Sequence, residues 1–279
     1  MTGEIDHRIH NGGVMISKKD DRSLEEKQVR REGREDLIAR VSGVSFAYPD
    51  DPARPVLRGL DLEIVRGECL AVLGESGSGK TTLLKLLFGL LIPTEGTILF
   101  EGEPLGGPRS DIALIFQNYG LFPWKTVREN ILLPAELRGE AKKEEPRLED
   151  LLEYLGLSEH ARKYPAELSG GQRQRTALGR AVMSRASLLL MDEPFSALDL
   201  RNRVRLQAFM KQFLEDTGMT SVIVTHSIEE ALRMGDRVAV FDEKEGRISE
   251  ILAGFRREKD LQGSEYEARA GRLRQQLLS

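Results

Sequence analysis

The sequence predicts an α/β fold: a mostly parallel sheet with crossover helices, interrupted by an inserted helical subdomain. Three observations carry that prediction. The run CLAVLG, ending at Gly74, is almost wholly apolar and leads through GESGSGKTT into a helical pattern, as expected for a strand covered on both faces that feeds a crossover helix. Beyond Ser187, three short apolar strands alternate with two helical stretches, the rhythm of β–α–β units. Between Asn118 and Met183 the strand pattern nearly disappears.

Taken in order, residues 38–48 (IARVSGVSFAY) alternate apolar and polar side chains, the period of a half-buried strand. Residues 56–65 and 68–73 continue as strands. Residues 80–90 read as a helix with Leu83, Leu84, Leu86 and Leu87 on or beside one face. Further strands are expected over 96–103 and 111–116. The insertion, about residues 118–183, holds helical stretches at 126–138, 147–155 and 170–183. Strands resume at 187–191, 221–225 and 237–241, with helices near 201–215 and 227–233. No internal repeat is visible. The chain therefore divides into a charged N-terminal tail (1–36), one domain (37–253) and a C-terminal peripheral helix within 254–279. A short solvated helix near 24–34 is expected in the tail.

Composition sets limits on function. A hydrophobic content of 40% suffices for a sizeable core in this 279-residue chain, and the net charge of −4 offers no global basic face for nucleic acid. The single cysteine, Cys69, excludes an internal disulfide and fits a reducing compartment. It lies in an apolar run and reads as a buried strand residue. No apolar run reaches the roughly 18 to 20 residues that span a bilayer, and the N-terminus lacks the apolar core of a signal peptide. His7 and His10 have no partners at metal-ligand spacing.

The chemistry lies in five motifs. Gly74, Gly79, Lys80 and Thr81 match G-x-x-x-x-G-K-[ST] between a predicted strand and a helix, the context of a phosphate-binding loop. Glycine lets the backbone wrap phosphate oxygens, and the loop N–H groups with the helix N-terminus supply positive charge. Lys80 adds a point charge for β- and γ-phosphates, Thr81 a hydroxyl for Mg²⁺, and Thr82 a contact to the α-phosphate. LLLMDEP delivers Asp192 and Glu193 to the C-terminal end of a strand, where ligands of open parallel sheets bind. Adjacent carboxylates there call for a cation. Asp192 suits Mg²⁺, held through water, and Glu193 suits a general base acting on the attacking water.

Gln117, after the strand IALIF, is a candidate for Mg²⁺ or the attacking water, and His226, after SVIVT, for the γ-phosphate. Tyr48 offers a face on which adenine can stack, with an ordinary strand-end tyrosine as the alternative. In LSGGQ, Ser169 is a good N-cap, and Gly170 and Gly171 leave the first helical N–H groups unobstructed. Two low-propensity glycines at a helix start are explained by an anion approaching the backbone.

The order Tyr48, GESGSGKTT, Gln117, LSGGQRQR, LLLMDEP, SALD (196–199) and His226 resembles the ATP-binding cassette (ABC) ATPases over about residues 38–252. That resemblance implies a P-loop NTPase core with an antiparallel β subdomain and an inserted α-helical subdomain. It implies ATP and Mg²⁺ as ligands, with Gly74, Glu75, Ser76, Gly77, Ser78, Gly79, Lys80, Thr81 and Thr82 around the nucleotide. Two cassettes would meet head to tail as a homodimer. Ser169 and Gly171, flanked by Gly170 and Gln172, would cap the γ-phosphate held by Lys80 of the opposite cassette, and residues 196–199 would line the interface. The stretch QNYGLFPWKTVRENI looks like importer ATPases of the nitrate, sulfonate and taurine group, with Trp124 near the site that receives a permease coupling helix. Such subunits sit peripherally on the cytoplasmic face of the membrane, beside separate permease chains and, indirectly, an extracytoplasmic solute-binding protein. The alternative is a soluble ABC ATPase of metal-cluster assembly or DNA repair. DNA-repair members carry long coiled coils or zinc modules, and neither is present here.

Overall fold

The computed structural model describes residues 10–11, 14–15, 36–196, 200–255 and 263–277. The first strands, β1 (His10–Asn11) and β2 (Val14–Met15), form a short antiparallel pair. There follow β3 (Leu37–Phe46), β4 (Leu57–Val65), β5 (Cys69–Leu73), α1 (Lys80–Leu87), β6 (Glu95–Phe100), β7 (Glu103–Pro104) and β8 (Ile112–Ile115). The insertion contributes α2 (Val127–Leu137), α3 (Ala141–Tyr154) and α4 (Gly170–Met183). The chain then runs through β9 (Leu188–Asp192), α5 (Leu200–Thr217), β10 (Thr220–Thr225), α6 (Ile228–Met234), β11 (Arg237–Asp242), β12 (Arg247–Ala253) and α7 (Ser264–Leu277). The expected helix near 24–34 and the last three residues of SALD lie outside the described residues. Among the described residues no helix is long and apolar enough to cross a membrane.

The central sheet has the order β12-β11-β5-β10-β9-β8, parallel except for β12. Every residue of β5 and β10 is buried, which explains the unbroken apolar character of β5 and of the Val222–Val224 centre of β10. A second, antiparallel sheet has the order β4-β3-β6-β7. Side chains alternate between two cores. Leu70, Val72, Leu190 and Val224 join the antiparallel sheet and α1. Ala71, Leu73, Met191 and Ile223 join the helices of the other face and the insertion. The antiparallel subdomain and helical insertion expected from the motif order are both present.

The strand expected over 96–103 is two: β6 ends at Phe100, Glu101 and Gly102 turn at φ +51° and +83°, and β7 follows. Three further features differ from the sequence expectation. α1 stops at Leu87, because Gly89 turns at φ +80° and packs so closely that a Cβ there would lie 2.3 Å from Gly107. α3 begins at Ala141, although Pro146 lies inside it. Interior proline normally ends a helix, but here the preceding turn is held by Glu144, which pairs with Arg147 and Arg185. β12 was not expected as a separate strand; it closes the sheet edge by antiparallel pairing with β11.

Candidate active site

Strand register gathers the motifs. β10 lies between β5 and β9, pairing Thr225 with Leu73 and Val224 with Asp192. β8 lies beyond β9, pairing Ile115 with Met191. The residues that leave these four parallel strands at their C-terminal ends are therefore neighbours: Gly74 after β5, His226 after β10, Glu193 after β9 and Gln117 after β8. This edge is where open parallel sheets bind ligands.

The loop from Gly74 to Gly79 is closely fitted to its own chain. Gly77 and Gly79 adopt φ +86° and +112°, backbone that L side chains rarely reach. A Cβ on Gly79 would lie 2.9 Å from Val56 Cγ1, and one on Gly74 would lie 3.1 Å from Phe241 Cβ. Ser78 is buried, whereas Glu75, Ser76 and Gly77 face outward. Lys80 is only 4% exposed, and its ammonium donates to the carbonyls of Gly74 (2.9 Å) and Glu75. Burial holds its pKa below the usual lysine value, against the opposing pull of Glu193 and Asp192. A buried cation ringed by outward-facing backbone is arranged to receive an anion.

The oxygen ligands expected for a cation also meet. Thr81 Oγ1 donates to Asp192 Oδ1 at 3.2 Å. Burial raises the Asp192 pKa, the Thr81 bond opposes that rise, and neighbouring Glu193 adds to it. An all-oxygen pair beside a phosphate loop suits Mg²⁺, which takes few protein ligands and completes its shell with water and phosphate.

Glu193 adopts φ +43°, uncommon for a residue with a side chain, and its carboxylate lies 3.1 Å from His226 Nδ1. Gln117 Nε2 donates to Ser196 Oγ at 3.0 Å. The Tyr48 hydroxyl lies 3.0 Å from Thr82 Oγ1, and its ring meets Phe46 edge-on with centroids 5.0 Å apart. Tyr48 thus flanks the loop.

The LSGGQ segment stands apart. Ser169 caps α4 by accepting from Gln172 N at 3.3 Å, while Gln172 Oε1 accepts from Ser169 N at 2.9 Å. This reciprocal pair is a capping box. Among the described residues, no hydrogen bond or ion pair joins residues 169–172 to residues 74–82. Gly170 is half-buried, and a Cβ on Gly171 would meet nothing within 4 Å.

The sequence places Ser196 in the interface-lining segment 196–199, without a tie to Gln117, and does not single out Glu230. Ser196 touches both Gln117 and the Glu193 carbonyl. Glu230, one helical turn after His226, is 4% exposed with Oε1 unpartnered, and burial raises its pKa to about 7.

The cassette architecture and the motif-bearing sheet edge define the class, and comparison with known families agrees. The family model described as ABC transporter matches residues 57–196. The chain belongs to the ABC transporter family. It is 45% identical over 222 residues to the bicarbonate transport ATP-binding protein CmpC of Synechococcus elongatus, covering 77% of this chain and 34% of that protein. It is 38% identical over 213 residues to the taurine import ATP-binding protein TauB of Jannaschia sp., covering 76% of this chain and 80% of that protein. The chain thus spans about a third of the length of the first curated relatives it matches. Among solved structures, the dimeric post-hydrolysis ATP-binding cassette MJ0796 bound to ADP and Pi superimposes with a TM-score of 0.65 at 28% identity. The match covers 78% of this chain and all of that one.

Proposed function

We propose that this chain is the ATP-hydrolysing, nucleotide-binding subunit of a membrane importer for nitrate, sulfonate, taurine or a similar small solute. The observation that carries the reading is the contrast between the two anion-type motifs. The loop at Gly74–Thr82 meets Asp192, Glu193, His226 and Gln117 at one sheet edge, whereas among the described residues no hydrogen bond or ion pair joins Ser169–Gln172 to that loop. A head-to-tail homodimer supplies the missing half of each site.

In this reading residues 74–82 hold the triphosphate, Lys80 neutralises β- and γ-oxygens, and Tyr48 stacks on the base. Thr81, Asp192 and Gln117 hold Mg²⁺, which when bound offsets the phosphate charge. Glu193 takes the proton of the attacking water, and His226, within hydrogen-bonding reach of Glu193, contacts the γ-phosphate. Ser169 and Gly171 of the second copy, with Gly170 and Gln172 beside them, close over that phosphate. Such a site acts by positioning and electrostatics more than by covalent chemistry.

Separate permease chains cross the membrane, and this subunit lies on its cytoplasmic face; a solute-binding protein acts from the far side. Trp124, 71% exposed and edge-on to Phe122, supports a docking surface on the insertion. The names of CmpC and TauB support a transport role over soluble cluster assembly or DNA repair.

Replacing Glu193 with Gln tests the mechanism. Turnover is expected to vanish while ATP binding persists, yielding a dimer stabilised by ATP in size-exclusion chromatography. A Glu193→Gln chain that stays monomeric at saturating ATP would refute the shared site, and one that still hydrolyses ATP would remove Glu193 as the base.

A further inference from the structure

The amide of Gln117 has two ends, and only its carbonyl oxygen can serve a cation. The structure shows which end is committed. Ser196 Oγ gives its single hydrogen to the Glu193 carbonyl at 2.9 Å. It therefore faces Gln117 as an acceptor, and the 3.0 Å contact must be a donation from Gln117 Nε2. The polarity of this chain of bonds is fixed by the backbone carbonyl at its end, which can only accept. Among the described residues, no hydrogen bond uses Gln117 Oε1.

We propose that Ser196 is a positioning residue: its hydroxyl ties the Gln117 amide to the Glu193 turn so that Oε1, not the NH₂ group, is presented to Mg²⁺. The inference rests on the proposed function, in which Gln117 is a metal ligand and Glu193 the base. It adds a residue that touches neither nucleotide nor metal and acts through both neighbours.

Three features support it. The Glu193 turn is closed twice onto the same carbonyl, by Ser196 Oγ and by Ser196 N at 3.2 Å. Glu193 is held in left-handed backbone at φ +43° ahead of Pro194, a conformation that needs such support. On the other side, the loop that follows Gln117 is itself anchored. Arg180 of α4 donates to the carbonyls of Gly120 (2.8 Å) and Tyr119 (3.2 Å). Gln117 thus reaches Ser196 from a backbone fixed beyond it, and a flipped amide would set its carbonyl against the lone pairs of Ser196.

The test uses the full-length chain with Ser196→Ala, Ser196→Thr and Gln117→Ala. Ser196→Ala should lower kcat on the order of tenfold and raise KM for Mg–ATP several-fold, and Ser196→Thr, which keeps the hydroxyl, should restore most of both. Gln117→Ala should add little further loss in the Ser196→Ala background, since both remove one device. A second readout needs no turnover. In a Glu193→Gln background, Ser196→Ala should weaken binding of Mg–ATP several-fold while leaving binding of ATP in EDTA unchanged. Wild-type kcat in Ser196→Ala, simple additivity with Gln117→Ala, or unchanged Mg–ATP affinity each overturns the inference. An active Glu193→Gln chain overturns the reading of the site itself, whereas an inactive one beside a fully active Ser196→Ala overturns the role of Ser196 alone.

Discussion

The phosphate loop and the LSGGQ helix start are both glycine-rich and both open a helix, yet their glycines have different causes. At Gly79 the chain's own fold demands the residue: φ is +112° and a side chain would strike Val56. At Gly171 the chain demands nothing, for a Cβ there has no neighbour within 4 Å. Lys80 is folded into its loop, while Ser169 is exposed and its hydroxyl accepts from Gln172 N within its own capping box. The difference teaches where each site is completed. The shape of the phosphate loop is set by its own chain; on the proposed function the LSGGQ helix start instead faces a second copy and completes the nucleotide site there.

The largest effect that can break this contrast is at Ser169. If its hydroxyl donates to a partner's γ-phosphate, Ser169→Ala should lose about 2–4 kcal/mol of transition-state stabilisation, by analogy with deleted oxyanion donors. That corresponds to roughly a 30- to 1000-fold drop in kcat. Loss of the cap itself costs α4 only about 1 kcal/mol, so the chain should remain folded by circular dichroism. Wild-type ATPase activity in this variant would reduce LSGGQ to a well-capped helix and dissolve the comparison.

Why one half was easier to read than the other follows from the range of the interactions involved. The phosphate loop, the buried strands and the limits of α4 are local: apolar runs, a Ser cap and paired glycines place them within a few residues. α3 starts upstream of the expected 147 and runs through Pro146, a local stop signal, where a distant residue, Arg185, pairs with Glu144 of the preceding turn. Ser196 could not be tied to Gln117, 79 residues earlier, without knowing that β8 and β9 are neighbours. Glu229 and Glu230 look alike in sequence, yet the phase of α6 exposes the first and buries the second.

Glu230 gives the next largest effect and sharpens the account of the self-contained side. Its pKa is raised from 4.5 to about 7, first by burial, opposed by Thr225 and Arg203 and assisted by Glu193. The sign follows directly. Between pH 4.5 and 7 the folded chain holds a proton that the unfolded chain has released, so rising pH removes stability across this window. Above pH 7 the contribution is constant, with a total on the order of 3 kcal/mol. Glu230→Gln should therefore be more stable than wild type at pH 8, and the gap should shrink steadily down to pH 5. Urea midpoints at several pH values measure it. A gap independent of pH would show that ionising Glu230 carries no folding cost, and that this edge of the sheet is less closed than its burial implies.

The smallest effects separate the two glycines most directly, because they concern folding rather than rate. Gly79→Ala must accept a left-handed backbone and a 2.9 Å contact with Val56, and strain of this kind costs roughly 1–3 kcal/mol. Gly171→Ala places alanine in the first turn of α4 without a clash, so helix propensity predicts neutral behaviour or a gain of up to about 1 kcal/mol. Thermal midpoints should thus move in opposite directions or, for Gly171→Ala, not fall. ATPase activity should nevertheless fall in both if, as on the proposed function, the added methyl at 171 meets the partner's phosphate instead of its own chain. If Gly171→Ala were both stable and fully active, the open space at that helix start would hold no anion, and the shared-site reading would lose its steric argument. If Gly171→Ala instead destabilised the isolated chain as much as Gly79→Ala, the glycine would be structural after all, and the two regions would differ in sequence but not in cause.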